Sequence, residues 1–141
     1  MVEVTIDVDT SNLLSKLNPA NAKQVTSKLL NLASQDLVRN LMINSPVDHG
    51  LLKQWYIDSL TDTEAHIKTP AEYAADVNYG TRPHMIYPRD KKMLYWEGAD
   101  HPVPYVVHPG TSPTLFIENS IDETEQRMDE FFLSALQEVL G

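Results

Sequence analysis

The stretch from Asn18 to Pro46 constrains the fold most, because it has room for one long helix and marks both of its ends. Asn18 is a favourable N-cap residue, and Pro19 suits the first helical position, where a missing N–H leaves no bond unmade. Pro46 disfavours helix at the preceding residue, so we predict an end near Asn44 and a rod of roughly 38 Å. Apolar residues recur on one face: Val25, Leu29, Leu32, Ala33, Leu37 and Leu41.

A second long helix is predicted between Phe116 and the C-terminus. Its apolar residues recur at helical spacing: Ile117, Ile121, Met128, Phe131, Phe132, Ala135, Leu136 and Val139. Acidic residues fill the opposite face and the first turns, where they stabilise the positive end of the helix dipole. We expect Phe116 to anchor this helix to the rest of the molecule.

Alternating residues predict strands in the other segments. "VEVTIDVD" alternates apolar and polar side chains, and "WYIDSL" and "EAHIK" flank the polar turn "TDTE". "PAEYAADVNYGT" is open between a short helix and an extended piece. Short strands are expected at Met85–Tyr87, Met93–Trp96 and Val103–Val107, and the prolines around them favour edge strands or a projecting β-arm.

This order of elements predicts an α+β fold, in which two long helices pack on a small, mostly antiparallel sheet with a projecting β-arm or loop. We expect a single domain over residues 1–141. Turns between the elements are predicted from their proline, aspartate and glycine residues: Pro46, Asp48, Gly50, Gly80, Pro109 and Gly110.

Composition excludes several classes of function. The net charge of -9 argues against nucleic acid as a general partner, because phosphate binding needs clustered lysine and arginine. The absence of cysteine excludes disulfides, thiolate catalysis and zinc–thiolate sites. The acidic, alternating N-terminus is not a signal peptide, and no window has the apolar length of a membrane span.

No catalytic or cofactor-binding motif stands out. The chain lacks the Gly-x-Ser-x-Gly elbow, the phosphate-binding glycine loops and a His-x-x-x-His helical pair. We therefore predict no catalytic residue, no cofactor and no metal site, and interpret the "HPGTSP" corner as a rigid connection between strand and helix. One alternative is a small metal-dependent hydrolase that uses His84, His101 and His108 with Asp48 or Asp100.

The distribution of charge suggests a subunit interface. Basic residues cluster in one proline-bounded stretch: Arg82, Arg89, Lys91 and Lys92. Acidic residues gather at the start of the last helix, among them Glu118, Asp122 and Glu123. A basic segment that meets the acidic helix of a neighbouring copy makes a head-to-tail contact, which can close into a ring. The alternative is a solvated surface on which the charges cluster by chance.

Five motifs occur in a fixed order along residues 19–140: "SPVDHGLL", "YAADVNYGTRPHMIYP", "KKMLYW", "VVHPGT" and a phenylalanine before an acidic terminal helix. In this order they resemble the head–tail joining, or tail-completion, family of long-tailed phages, the gene-product-ten type of HK-type lambdoid phages. Family members show Pro-Val-Asp-Thr-Gly-x-Leu after the first helix, then Tyr-Ala…Gly-Thr, often with Arg-Pro-His, and a His-Pro-Gly-Thr corner.

The chain departs from this pattern at three single positions and in one insertion. His49 stands where threonine is usual, Asp76 where an aromatic residue is common, and Asn78 where glutamate is common. Thr114 and Leu115 separate Pro113 from the phenylalanine. The turn residues are kept, so the predicted corners are unaffected, while any partner contact carried over from the family is open.

The resemblance implies a non-enzymatic virion protein without cofactors, assembled in the host cytoplasm and located at the neck or the top of the tail. It implies a homo-oligomeric ring, often a hexamer, that contacts neighbouring connector and tail proteins and docks the tail to a DNA-filled capsid. DNA would pass through without sequence-specific binding, and no membrane is involved. Alternatives within the same assembly are a tail terminator, a stopper or a minor capsid subunit.

Overall fold

A computed structural model describes residues 2–9, 11–46, 50–89, 92–95 and 100–141. The elements are β1 (Glu3–Asp7), α1 (Ser11–Lys16), α2 (Pro19–Asn44), a 3₁₀ helix (Gly50–Lys53), β2 (Tyr56–Leu60), β3 (Glu64–Lys68), α3 (Ala74–Tyr79), β4 (His84–Ile86), β5 (Val106–His108), α4 (Phe116–Glu125) and α5 (Met128–Leu140). The predicted α+β class, with two long helices on a small antiparallel sheet, is confirmed. No helix in the described residues has both the length and the apolar character that crossing a membrane requires.

The chain forms two compact units. We call Met1–Ala75 together with Leu115–Gly141 the helical unit, and Asp76–Thr114 the ladder unit. The prediction of one domain over residues 1–141 stays a prediction.

Helix α2 begins and ends where its sequence predicts. The Asn18 side chain accepts a hydrogen bond of 2.8 Å from the Asn21 amide, and Pro19 occupies the first helical position. At the other end the Ser45 amide donates to the Leu41 carbonyl at 3.0 Å, and the backbone turns extended before Pro46. At the N-terminal end, the Asn18 side chain supplies an acceptor for a backbone N–H that has no partner within the helix.

The sheet of the helical unit has the order β1–β3–β2, and both pairings are antiparallel. The central strand β3 buries Ala65 and Ile67, while β1 alternates exposed and half-buried residues as its sequence predicts. The register of β2 against β3 shifts between Ile57 and Ser59, as it does at an extra residue in one strand. Helix α2 packs against β2 and β3 of the sheet and against α4 and α5.

The predicted second long helix is present as two helices, because the helix is interrupted at Gln126 and Arg127. Arg127 has φ −101° and ψ 0°, outside the helical region. Its guanidinium donates to the carboxylate of Asp36 on α2 at 2.5 Å, and Thr124, in the last turn of α4, donates to the same carboxylate at 3.0 Å. The interruption lies where both side chains bind one buried acid, a contact that apolar spacing alone does not predict.

Phe116 is buried at the start of α4, as predicted for an anchor. Its ring meets Trp55 edge-on at a centroid distance of 6.2 Å. The Trp55 indole N–H donates to the Ser45 hydroxyl at 3.3 Å, so the aromatic pair links the end of α2 to the start of α4. Edge-to-face pairs of this kind add to the stabilisation from apolar burial alone.

The predicted strands of the ladder unit are only partly present. The segment left open in the sequence is helical at α3, and β4 and β5 pair antiparallel, His84 opposite His108 and Ile86 opposite Val106. The expected strand Met93–Trp96 is reduced, in the described residues, to one bridge between Leu94 and Val103. Prolines at several positions of this segment remove amide donors, so short pieces form in place of long strands.

Candidate subunit interface

Two Gly-Thr dipeptides of the ladder unit, Gly80–Thr81 and Gly110–Thr111, pair with each other. The amides and carbonyls of Thr81 and Thr111 exchange two hydrogen bonds of 3.1 Å, and their hydroxyls lie 3.2 Å apart. Gly80 and Gly110 both have positive φ, 77° and 84°. A Cβ at Gly80 would lie 2.6 Å from the Thr111 carbonyl oxygen, and one at Gly110 would lie 2.4 Å from that of Thr81. Only glycine fits either position without a backbone shift.

The other predicted turn residues lie apart from these paired dipeptides. Pro46 follows the end of α2, Gly50 begins the 3₁₀ helix, and Pro109 is exposed between β5 and Gly110. Asp48 lies outside the described residues. The "HPGTSP" corner of the sequence is therefore half of a reciprocal contact whose other half is "YGTRP".

A stacked histidine pair sits next to the paired Gly-Thr dipeptides. The rings of His84 and His108 face each other across β4 and β5, with centroids 4.9 Å apart and planes inclined by 25°. His84 Nδ1 donates to the Arg82 carbonyl at 2.8 Å, and His108 Nδ1 accepts from the Gly110 amide at 3.0 Å. Both Nδ1 atoms are thus engaged in fixing the turns on which the rings are mounted.

The ligand set considered for a metal-dependent hydrolase is only partly together. His84 and His108 are adjacent, His101 forms no cluster with them, and Asp48 lies outside the described residues. Within the described residues, no group of three or more histidine, aspartate or glutamate side chains is arranged to hold a metal ion.

An exposed apolar patch covers one face of the ladder. Met85 lies directly opposite Val107, and Tyr87 contacts Tyr105 at a centroid distance of 6.2 Å. Because alternate residues of a strand point to the same side, these four residues share one face, which we call the aromatic face. Their exposed fractions are 41%, 64%, 62% and 48% in that order. Tyrosine and methionine are enriched in the cores of protein–protein interfaces.

The predicted basic residues lie next to this face in the sequence. Arg82, Arg89 and Lys92 are exposed, and none of them forms a salt bridge with another described residue. Lys91 lies outside the described residues. Several cations of the helical unit are paired with acids, namely Lys23, Lys28, Lys68 and Arg127.

The predicted acidic residues belong to α4 of the helical unit. Asp122 and Glu123 are exposed and Glu118 is half-buried. Glu123 accepts a hydrogen bond of 3.2 Å from the Asn44 side chain. Asp122, Glu125 and Asp129 form no ion pair with a described residue, so the surface of α4 and α5 has acids available to a partner.

The aromatic face is the part of the candidate interface that the charges alone do not indicate. A period of two in "HMIYP" and in "PYVVH" carries the signal, since Met85 and Tyr87 alternate with Ile86, and Tyr105 and Val107 with Val106. When β4 pairs with β5, the alternating residues of both segments lie on the same face and form one surface.

Comparison of the chain with models of protein families, with curated proteins and with solved structures finds no match. The resemblance to the head–tail joining family therefore rests on the order of the five motifs.

Proposed function

We propose that the protein is a non-enzymatic structural protein of a phage virion, a head–tail joining (neck) or tail-completion subunit. Copies of it form a ring around the DNA channel and dock the tail to the filled capsid. The order of the five motifs supports this proposal, and two of them, "YAADVNYGTRPHMIYP" and "VVHPGT", contain the strands β4 and β5.

The observation that carries the proposal is the aromatic face. A patch of two tyrosines, a methionine and a valine, in a segment whose cations form no ion pair with another described residue, is unusual for a surface that meets only water. Such a patch is characteristic of a surface that another protein covers, which is what a subunit of an assembly needs. The excess of acidic charge suits a channel wall, because carboxylates repel DNA and let it pass.

The test is the assembly state of the purified protein. We expect native mass spectrometry and negative-stain imaging to show closed rings. Tyr87→Ser with Tyr105→Ser should abolish them, because the pair lies in the surface that partners cover. The matched control is Tyr56→Ser, which removes an exposed tyrosine from β2. Rings that survive the paired substitution, or that fail equally in the control, would contradict the role of the aromatic face.

The place in the virion needs a separate measurement, since a terminator, a stopper and a minor capsid subunit also form or join rings. Antibody labelling of intact particles should mark the junction of head and tail. Label along the capsid shell would favour the minor capsid alternative. The hydrolase alternative requires bound metal, which elemental analysis of the purified protein would reveal and His101→Ala would remove.

A further inference from the structure

A groove of about 280 Å³ lies between β1 and the α4–α5 segment of the helical unit. Its apolar lining comes from both sides, with Val4 and Ile6 on the strand and Leu37, Ile121 and Met128 on the helices. Acids line it as well, Asp7 at the end of β1 and Glu125 at the end of α4. The groove is therefore apolar within and negatively charged beside the apolar part.

The strand that forms one wall is also the edge of its sheet. In the order β1–β3–β2, β1 pairs only with β3, so its other edge has no strand partner among the described residues. An open edge next to an apolar groove favours an occupant that is itself extended and apolar on one side. The charges of Asp7 and Glu125 favour an occupant that carries cations.

The ladder unit has these properties. Its aromatic face supplies apolar side chains on two short strands, and Arg82, Arg89 and Lys92 supply cations that form no ion pair with another described residue. Among the described residues, Glu125 of the helical unit and the three cations of the ladder unit form no ion pair, so the two surfaces are complementary in charge and in apolar character.

We infer that the aromatic face of one copy docks in the β1–α4 groove of a second copy, with Arg89 directed to the acids beside it. The contact specifies how subunits of the proposed ring meet, and in that respect it rests on the proposed function. Because the two surfaces are different, each copy offers one of each, and the contact propagates head to tail.

Single cysteines provide a direct test, since the chain has none of its own. Val107→Cys places a thiol on the aromatic face and Glu125→Cys places one at the groove, in separately purified proteins. Any disulfide formed on mixing them joins two molecules. The matched control replaces Glu125→Cys by Leu133→Cys, an exposed position of α5 that does not line the groove.

We expect the Val107–Glu125 pair to cross-link roughly tenfold more than the Val107–Leu133 pair, because docking raises the effective concentration of the two thiols. Equal yields from the two pairs would overturn the inference. So would a Val107→Cys protein that couples mainly to itself, which would indicate face-to-face pairing of ladders.

A charge exchange gives a second readout that does not depend on thiols. Arg89→Glu and Glu125→Lys should each weaken self-association in light scattering, and the double variant in one chain should restore it. Weakening without restoration would contradict the pairing of these two charges.

The experiments distinguish failure of the inference that the aromatic face docks in the groove from failure of the proposal that copies form a ring. Closed rings without the Val107–Glu125 cross-link would overturn docking in the groove but would still support ring formation. The cross-link in a protein that forms only open chains would support the groove and contradict the ring. A protein that stays monomeric without the cross-link at high concentration would overturn the inference.

Discussion

At the scale of the residue, Gly110 is a position of the ladder unit that admits only glycine without a backbone shift. Its φ of 84° is favourable only for glycine, and a Cβ would meet the Thr81 carbonyl oxygen at 2.4 Å. We expect Gly110→Val to destabilise the ladder unit by about 1–3 kcal/mol, the usual range for backbone strain of this kind. Limited proteolysis between residues 76 and 114 would measure the change as faster cleavage.

His108→Ala is the matched comparison for Gly110→Val. It removes the stacked ring and the acceptor of the Gly110 amide, but it fits the strand without strain. Its effect on cleavage should be clearly smaller than that of Gly110→Val. Equal cleavage of the two variants would mean that the histidine pair stabilises the corner as much as the glycine does.

At the scale of the element, the junction between α4 and α5 is bound to one buried acid of α2. The Asp36 side chain is 5% exposed and binds Asn40, Thr124 and Arg127. We expect Asp36→Ala to lower the free energy of unfolding by about 1–3 kcal/mol, because buried donors would lose their acceptor. Urea denaturation followed by circular dichroism would measure it.

The control for Asp36→Ala is Asp62→Ala, which also breaks a contact between an acid and a basic residue. Asp62 pairs with Lys23 at 3.3 Å, but both side chains are more than half exposed. An exposed pair contributes little to stability, so this substitution should change the urea midpoint only slightly. A larger shift from Asp62→Ala than from Asp36→Ala would contradict the importance of burial.

The sheet of the helical unit contains a pH-dependent cluster. A hydrogen bond with Glu3 raises the pKa of His66, against partial burial that lowers it, and nearby Glu64 raises it further. The bond with His66 likewise lowers the pKa of Glu3, and Lys68, which also pairs with Asp58, adds to that effect.

The sign of the pH effect follows from these directions. The stability that the His66 interaction contributes is complete below the ordinary histidine pKa of about 6.5. It is lost as pH rises through the raised pKa of His66. The stability that Glu3 contributes is present above its ordinary pKa of 4.5 and is lost as pH falls through the lowered value.

We therefore expect Glu3→Gln to lower the thermal midpoint more at about pH 5.5 than at about pH 8. Melting curves of both proteins at the two pH values would show this. Glu64→Gln is the control, since Glu64 contributes less to the pKa of His66. A midpoint difference independent of pH would contradict the role of the His66 bond.

At the scale of the whole molecule, the sequence predicts what depends on neighbours along the chain. The limits of α2, the strand alternation and the Phe116 anchor follow from caps, prolines and periodicity. The interruption at Arg127 and the aromatic face do not, since each depends on residues that are far apart in the sequence. Asp36 binds Arg127 across 91 positions, and Met85 faces Val107 only once β4 and β5 pair.

The two units differ in how much they bury. Of the described residues in 76–114, Asn78 alone is buried, while α2, β3, α4 and α5 of the helical unit contribute an apolar core. Segments with few buried apolar side chains open at a lower free energy than the core. We therefore expect backbone amides of β4 and β5 to exchange with deuterium earlier than those of α2 in dilute solution.

Assembly should slow amide exchange in some elements and leave it unchanged in others. If the aromatic face docks in the groove of a second copy, the amides of β4, β5 and β1 gain protection as the protein is concentrated, while those in the middle of α2 stay as they were. Hydrogen exchange at two concentrations measures this directly. The Tyr87→Ser, Tyr105→Ser variant is the control, because it should show the dilute pattern at both concentrations. Protection that rises equally across all elements would indicate a general gain in stability and would argue against a contact confined to these surfaces.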